Sequence, residues 1–389
     1  MPDPADRGPH VLMIGAFPPQ AQGIPGYCGA LAAAIGRRAT IRALGFRAMY
    51  PPWLFPGVKA ANDPTSAAPE APGLTVTHAL AWYNPLGWIR HAWRAPADVV
   101  HIQWWSLPLF PVCLTFALAA RIRRLAVVLT VHNVHPHEPS RGFTIASRIL
   151  YRLADHLIVH SKTNREQLCA SGTIARDHVS CIPMGADDGP ITPPDRPTAR
   201  ATLDLPEDAE VVLFFGTIRP YKGLRDLLRA AATARKSLPR LHLVIAGKPW
   251  EDWAPLDGLI HDLGLGDCVR ARLKYLPEAD LPPILAAADL AVLPYTHFDA
   301  QSAAGSRLIA AGLPLVVTDT GGLPELVQHD PRWVAPPNDP EALAARIVAY
   351  FTDPAAAEAF RDIAGRTRAA MSWDGAAEAH LRLYRALRT

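Results

Sequence analysis

The feature that most constrains the fold of this chain is an alternation that runs twice. Short, continuous apolar runs of four to six residues are each followed by a loop and then by a helix-length stretch. In the first half the apolar runs are 10–14, 97–102, 126–131 and 156–160, with helices expected over 27–38, 109–123 and 145–154. In the second half they are 211–215, 241–246, 269–273, 290–293 and 314–318, with helices expected over 224–236, 281–287, 302–311, 340–351, 355–370 and 373–387. Apolar runs that do not alternate with polar residues belong to strands buried on both faces. Helices between such strands make the sheet parallel. The two series are separated by 183–209, which opens Pro183-Met-Gly-Ala-Asp-Asp-Gly-Pro-Ile-Thr-Pro-Pro-Asp-Arg-Pro197 and reads as a linker or domain boundary. The expectation is an α/β protein with two halves of similar size, 1–190 and 191–372, plus a last helix after the break at Met371-Ser372.

Length and composition agree. At roughly 150 residues per domain, 389 residues make two or three domains. With 49% apolar and 19% charged residues the chain has ample core material and is not disordered. The net charge of +3 is unevenly spread: residues 1–190 carry +6 and the remainder −3. That excess is too small and too scattered for a nucleic-acid partner. The five cysteines, Cys28, Cys113, Cys169, Cys181 and Cys268, are odd in number and show no CxxC pair. This argues against a disulfide scaffold or a zinc site and suits a reducing cytosol. The start Met1-Pro-Asp-Pro-Ala-Asp is polar and acidic, unlike a signal peptide. The longest apolar run, 107–120, is broken by Pro108 and Pro111 and is shorter than the ~20 residues of a spanning helix.

Three segments carry chemistry. The first strand leads into Gly15-Ala-Phe-Pro-Pro-Gln-Ala-Gln-Gly-Ile-Pro-Gly26 and then a helix, the opening of a Rossmann-like unit. It lacks G-x-G-x-x-G, and no Asp follows at the ribose position, which counts against a dinucleotide oxidoreductase. The second segment is Phe214-Phe-Gly-Thr-Ile-Arg-Pro-Tyr-Lys-Gly-Leu-Arg-Asp-Leu-Leu228. A strand ends at Gly216, and a loop with Arg219 and Lys222 enters a helix at Gly223. Bare N–H groups, a glycine and two cations there suit a phosphate. The alternative is an ordinary basic strand–helix connection. The third segment, 293–325, runs from a strand through Asp299, Gln301, Ser302 and Gly305 into a helix, then a strand ending in Gly321-Gly322. Asp299 either caps that helix or accepts from sugar hydroxyls, and Gly321 and Gly322 let backbone approach a ligand.

Taken with Thr130-Val-His-Asn133, Leu157-Ile-Val-His-Ser161, Ile182-Pro-Met-Gly185, Leu285-Ala-Ala-Ala-Asp-Leu290 with Pro294, and Ser372-Trp373, these segments resemble retaining glycosyltransferases of the family 4, group 1 type. The resemblance spans nearly the whole chain. Each motif is weak by itself; their order and spacing are specific. It implies two Rossmann-like domains facing across a cleft, the GT-B architecture, with the helix 373–389 crossing back to the first domain. Residues 191–372 would bind the nucleotide sugar and 1–190 the acceptor. Arg219 and Lys222 would hold the diphosphate, Gly23 and Gly26 would close over it, and His132 would face the donor sugar with Asp299. Gly216, Gln301, Ser302, Arg307, Gly321 and Gly322 would complete the donor side, and His135 and Glu138 the acceptor side. Two positions depart from the pattern. The family's Glu-x7-Glu is Asp299 and Arg307 here, so ribose recognition does not carry over. Thr217 stands where the phosphate-binding Arg usually lies, and Arg219 substitutes for it.

His132, His135 and His137 lie within six residues, but without a carboxylate–His helix pattern they do not read as a metal site. Trp82, Trp88, Trp93, Trp104 and Trp105 crowd one stretch beside Arg90, His91, Arg94, Arg121, Arg123 and Arg124. This is either a core helix with a solvated basic face or a surface that docks on an anionic leaflet. The expected function is transfer of a sugar, with retention, from a nucleoside diphosphate to an acceptor hydroxyl of a lipid-linked glycan in polysaccharide or glycoconjugate synthesis. No cofactor or metal is required, since the cations stabilise the leaving diphosphate. The protein would be cytoplasmic, with a peripheral place on the inner face of the membrane. Two alternatives stand: a nucleotide-sugar epimerase, which needs no acceptor, and a degenerate nucleotide-binding relative, which turns over no sugar.

Overall fold

The computed structural model describes residues 8–20, 23–51, 70–134, 140–170, 172, 174–186, 194–298 and 301–388. The chain divides into two compact units, Met1–Gly185 with Ser372–Thr389, and Ala186–Met371.

The first unit contains β1 (His10–Ile14), α1 (Gly23–Gly36), β2 (Thr40–Ala48), β3 (Leu74–Ala81), α2 (Pro85–Arg94), β4 (Val99–Trp104), α3 (Phe110–Ile122), β5 (Ala126–Val131), α4 (Arg141–Leu153), β6 (His156–Val159), α5 (Lys162–Ala170) and β7 (Val179–Cys181). Its seven strands are parallel in the order β3-β2-β1-β4-β5-β6-β7. The central strands are the apolar runs of the sequence, and β4 is buried along its whole length. Two long strands escaped the sequence reading, besides the three-residue β7. β2, TIRALGFRA, is interrupted by Arg42, Gly45 and Arg47, and β3, LTVTHALA, alternates polar with apolar. Both sit toward one edge of the sheet, where burial is partial and continuous apolarity is not required.

The second unit contains α6 (Arg196–Ala201), β8 (Glu210–Phe215), α7 (Leu224–Ala234), β9 (Leu241–Ala246), α8 (Ala254–Asp262), β10 (Val269–Arg272), α9 (Leu281–Ala287), β11 (Leu290–Leu293), α10 (Ala303–Ala310), β12 (Leu315–Thr318), α11 (Leu323–Leu326), β13 (Val334–Ala335), α12 (Pro340–Thr352) and α13 (Pro354–Ala370). Its six parallel strands follow the order β10-β9-β8-β11-β12-β13. The predicted strands 241–246 and 290–293 coincide with β9 and β11. The stretch expected to be a linker or domain boundary contains the division between the units, at Gly185 and Ala186, and also holds a packed element. Asp195 caps α6 by accepting from Thr198 N at 2.8 Å. The buried Arg200 guanidinium donates to Asp289 at 2.8 Å, and that carboxylate also accepts from Val211 N at 2.8 Å. The charge pair ties the start of the unit to its central strands.

The last helix, α14 (Trp373–Ala386), packs against α1 in the first unit. Ser372 caps it by accepting from Gly375 N at 3.1 Å. Trp373 lies against Gly185, where a Cβ would come within 2.2 Å of the indole ring. The Pro-Met-Gly segment ends in glycine because that ring needs the space. Among the described residues no helix is long and apolar enough to cross a membrane.

Candidate active site

In an open parallel sheet the ligand crevice lies beyond the C-terminal strand ends where the winding direction reverses. In the second unit that place is between β8 and β11. β8 runs out at Gly216, whose φ of 114° suits glycine. Beyond it, Trp250 N donates to Ile218 O at 2.9 Å, so the loops after β8 and β9 stay together. The Arg219 guanidinium carbon then lies 4.3 Å from the Trp250 ring centre, a stack that fixes the planar cation. One 3₁₀ turn, Pro220–Lys222, follows. Gly223 ends it at φ 70°, ψ 24°, and a Cβ there would sit 1.7 Å from Pro294 O. Glycine is required both by the left-handed backbone and by this close approach.

The turn folds Lys222 inward. Its Nζ would lie 3.0 Å from a Cβ on Gly216, and it stands 5.2 Å from the Tyr295 ring centre. Lys222 is 8% exposed, and no described carboxylate pairs with it. Burial pushes its pKa down, and the like charge of Arg219 adds to that. A buried ammonium without a counter-charge is costly, and an anion beside it would offset that cost. The start of α7 directly after Gly223 adds unpaired N–H groups.

The loop after β11 is locked to this turn. Thr296 N donates to Tyr221 O at 2.8 Å. The Tyr221 and Phe298 rings stack at 6.1 Å, and Tyr295 meets Phe298 edge-on at 5.1 Å. Ser302 is the N-cap of α10, accepting from Gly305 N at 3.1 Å, and it lies 3.0 Å from the Tyr295 hydroxyl. Its buried hydroxyl is therefore engaged within the protein, at the start of the helix expected to face the donor. Gln301 and Arg307 are half-buried. Gly321, with φ 51°, and Gly322 follow β12 and lead into α11. Asp299 lies outside the described residues.

In the first unit the winding reverses between β1 and β4. The expected glycine-rich loop is shorter than the sequence suggests. α1 begins at Gly23, so Gly23 and Gly26 occupy its first turn, with Pro25 suited to that place by its fixed φ. His132 follows β5, and its backbone N donates to Trp104 O at 3.0 Å. Its ring is buried edge-on to Tyr27 at 5.2 Å and 5.1 Å from His160. Nε2 of His132 lies 2.8 Å from Oε1 of Gln103. Burial holds the His132 pKa well below the ordinary imidazole value, with His160 adding to the effect. His135 and Glu138 lie outside the described residues. Among those described, no group of three His, Cys, Asp or Glu side chains is placed to hold a metal.

The tryptophan cluster divides. Trp88 and Trp104 are core residues: Trp88 donates to Ala81 O at 2.7 Å, and Trp104 stacks on Phe143 at 5.3 Å. Trp105 is half-buried and donates to the Tyr50 hydroxyl at 3.0 Å. Arg123 binds Ala92 O and Ala95 O at the end of α2. What reaches solvent is Trp82, Leu86, Ile89 and Trp93 around α2, with Leu118 and Ile122 of the adjoining α3. Arg90, Arg94 and Arg124 are exposed beside them.

The sequence reading missed the aromatic partners Trp250 and Tyr295, which have no spacing signal. It also missed His101 and Gln103. These two left a trace: polar residues at alternate positions of the otherwise apolar strand VVHIQW.

The family description "Glycosyl transferases group 1" matches residues 195–367, and "Glycosyltransferase Family 4" matches 58–189. A D-inositol 3-phosphate glycosyltransferase of Mycolicibacterium gilvum is 31% identical over 70% of this chain and 60% of its own length. D-inositol 3-phosphate glycosyltransferase 1 of Catenulispora acidiphila is 31% identical over 75% of this chain and 73% of its own. The match thus spans about three-fifths to three-quarters of these two relatives. Anabaena HepE, solved with UDP and glucose, superposes with a TM-score of 0.70 over 96% of this chain and 99% of its own, at 18% identity. The chain is a member of the group 1 glycosyltransferase family, built on the GT-B architecture of two parallel α/β units.

Proposed function

We propose that the protein transfers a sugar from a nucleoside diphosphate donor to an acceptor hydroxyl, with retention of configuration at the anomeric carbon. The observation that carries this reading is Lys222: a buried ammonium at the sheet's reversal point, without a described carboxylate partner and beside the stacked guanidinium of Arg219. Cleavage of the donor C1–O bond leaves negative charge on the diphosphate. Preorganised cations and helix N–H groups stabilise that charge as it develops. The acceptor hydroxyl then attacks from the face the diphosphate leaves, and the departing phosphate oxygen takes its proton. Asp299 and His132 are assigned contacts with the transferred sugar. That HepE was solved with UDP, and in another complex with UDP-glucose, favours a UDP-sugar as the first donor to test.

For the acceptor we favour a lipid-linked glycan. Exposed Trp, Leu and Ile side chains interleaved with arginines on α2 and α3 support docking to an anionic leaflet. The names of the 31%-identical relatives favour a second reading, a soluble inositol phosphate acceptor. Thermal shift with UDP-, GDP- and ADP-sugars, followed by turnover with inositol phosphate and with a lipid-linked glycan, tests both. Donor hydrolysis or epimerisation that needs no acceptor would refute the transferase reading.

A further inference from the structure

His132 stands at the end of a buried hydrogen-bond chain that starts on the last helix. Tyr384 of α14 places its hydroxyl 2.7 Å from His101 Nδ1. The other nitrogen of His101, Nε2, lies 2.7 Å from Thr130 Oγ1 and 3.2 Å from Gln103 Nε2. Gln103 Oε1 completes the chain at 2.8 Å from His132 Nε2. All five side chains are buried. His101 and Gln103 share one face of β4, and Thr130 pairs with Gln103 across the sheet.

With the Gln103 amide oxygen facing His132 and its nitrogen facing His101, donor and acceptor chemistry sets the protons in this chain. A carbonyl oxygen only accepts, so His132 carries its proton on Nε2. An amide NH₂ only donates, so His101 Nε2 holds a lone pair, which also receives the Thr130 hydroxyl. The His101 proton is therefore on Nδ1 and is donated to the Tyr384 oxygen. Turning the Gln103 amide over would reverse both rings together. Burial keeps the pKa of both imidazoles below the ordinary value, so the neutral forms are the ones that matter.

We propose that Tyr384, His101 and Gln103 are positioning residues that hold His132 as the Nε2–H tautomer, so that its Nδ1 meets a ligand hydroxyl as an acceptor. Among the described residues Nδ1 of His132 has no hydrogen-bond partner. The identity of the ligand rests on the transferase reading; the tautomer does not.

Nitrogen-15 NMR of histidine-labelled full-length protein tests this, with the His132 signals assigned by loss in His132→Gln. The wild type is expected to show a protonated Nε2 and an unprotonated Nδ1. Tyr384→Phe keeps the packed ring but leaves His101 Nδ1–H without an acceptor. The His101 proton should move to Nε2 and donate to Thr130, the amide should turn, and His132 should become protonated on Nδ1. Gln103→Leu keeps the Tyr384–His101 bond and should leave His132 a mixture of both tautomers; it decides the matter should Tyr384→Phe fail to fold. Wild-type His132 protonated on Nδ1, or an unchanged pattern in the folded variants, would overturn the proposal. In a transferase assay, Tyr384→Phe should lower kcat about ten-fold or more with donor KM held, the usual scale for losing a partner that orients an imidazole. A changed tautomer with intact turnover would overturn the contact between His132 and the sugar while the chain of bonds stands.

Discussion

Replacing Lys222 with methionine removes a charge and keeps most of the stem. The ammonium is 8% exposed and has no described counter-charge, and its surroundings are Gly216, Tyr295 and Arg219. It therefore adds nothing to folding in the empty protein, and Lys222→Met should be as stable as the wild type or more so. Nucleotide binding should behave in the opposite way. Losing one preorganised cation against a developing charge costs about 3 kcal/mol, or ~100-fold in rate. If the dissociation constant of the free nucleoside diphosphate rises by the same factor, the melting shift collapses. At a ligand concentration about 100 times the wild-type constant, stabilisation is about 2.7 kcal/mol; after the change it is about 0.4 kcal/mol. For a unit of this size that is a shift of roughly 5–10 °C falling to about 1 °C. A second readout is the pH dependence of the empty protein. The folded pKa of Lys222 lies below the ordinary 10.5, so the unfolded chain holds the extra proton in that window. Wild-type stability should then rise with pH toward 10.5, and Lys222→Met should lack that rise. Differential scanning calorimetry with and without UDP measures all of this. A variant that keeps the UDP shift and the turnover, or that melts well below the wild type without ligand, would refute the reasoning.

Trp88→Ala should destabilise the first unit by about 3–5 kcal/mol in denaturant titration, as for a buried aromatic. Trp93→Glu should change stability by less than about 0.5 kcal/mol, yet weaken flotation with anionic vesicles, a binding that should itself fall as salt rises. Asp299→Asn should lower turnover while calorimetry finds near-normal binding of the free nucleoside diphosphate, which lacks the sugar; equal loss for both ligands would count against a sugar contact. Burial lowers the pKa of His160 and of His380 to about 4. Between 6.5 and that value the unfolded chain binds protons that the folded chain does not, so stability should fall as the pH drops through this window. The loss is about 3 kcal/mol per ring at most, and His380→Leu should flatten the slope measured by urea titration at stepped pH.

The local alternation of this sequence determined the fold class, the two halves and most central elements. A strand buried on both faces must be continuously apolar, and that pattern is visible without any partner. The same held for the backbone chemistry of the Gly216–Gly223 loop, where the required conformations can be met only by particular residue types. Tertiary structure decided what depended on distant segments meeting. The edge strand β3 and β2 beside it needed neighbours before their mixed patterns made sense. Whether a tryptophan of the 82–105 stretch faces core or solvent depended on where α3 and α4 lie, which separates Trp88 and Trp104 from Trp82 and Trp93. Ser302 became a cap only because α10 starts beside it. The environment of His132 is the clearest case. Its hydrogen-bond chain joins residues 101, 103, 130, 132 and 384, and Tyr384 is 283 positions from its partner His101. A sequence shows which side chains can donate or accept; only the fold decides which of them are desolvated together, and desolvation is what gives those bonds their weight.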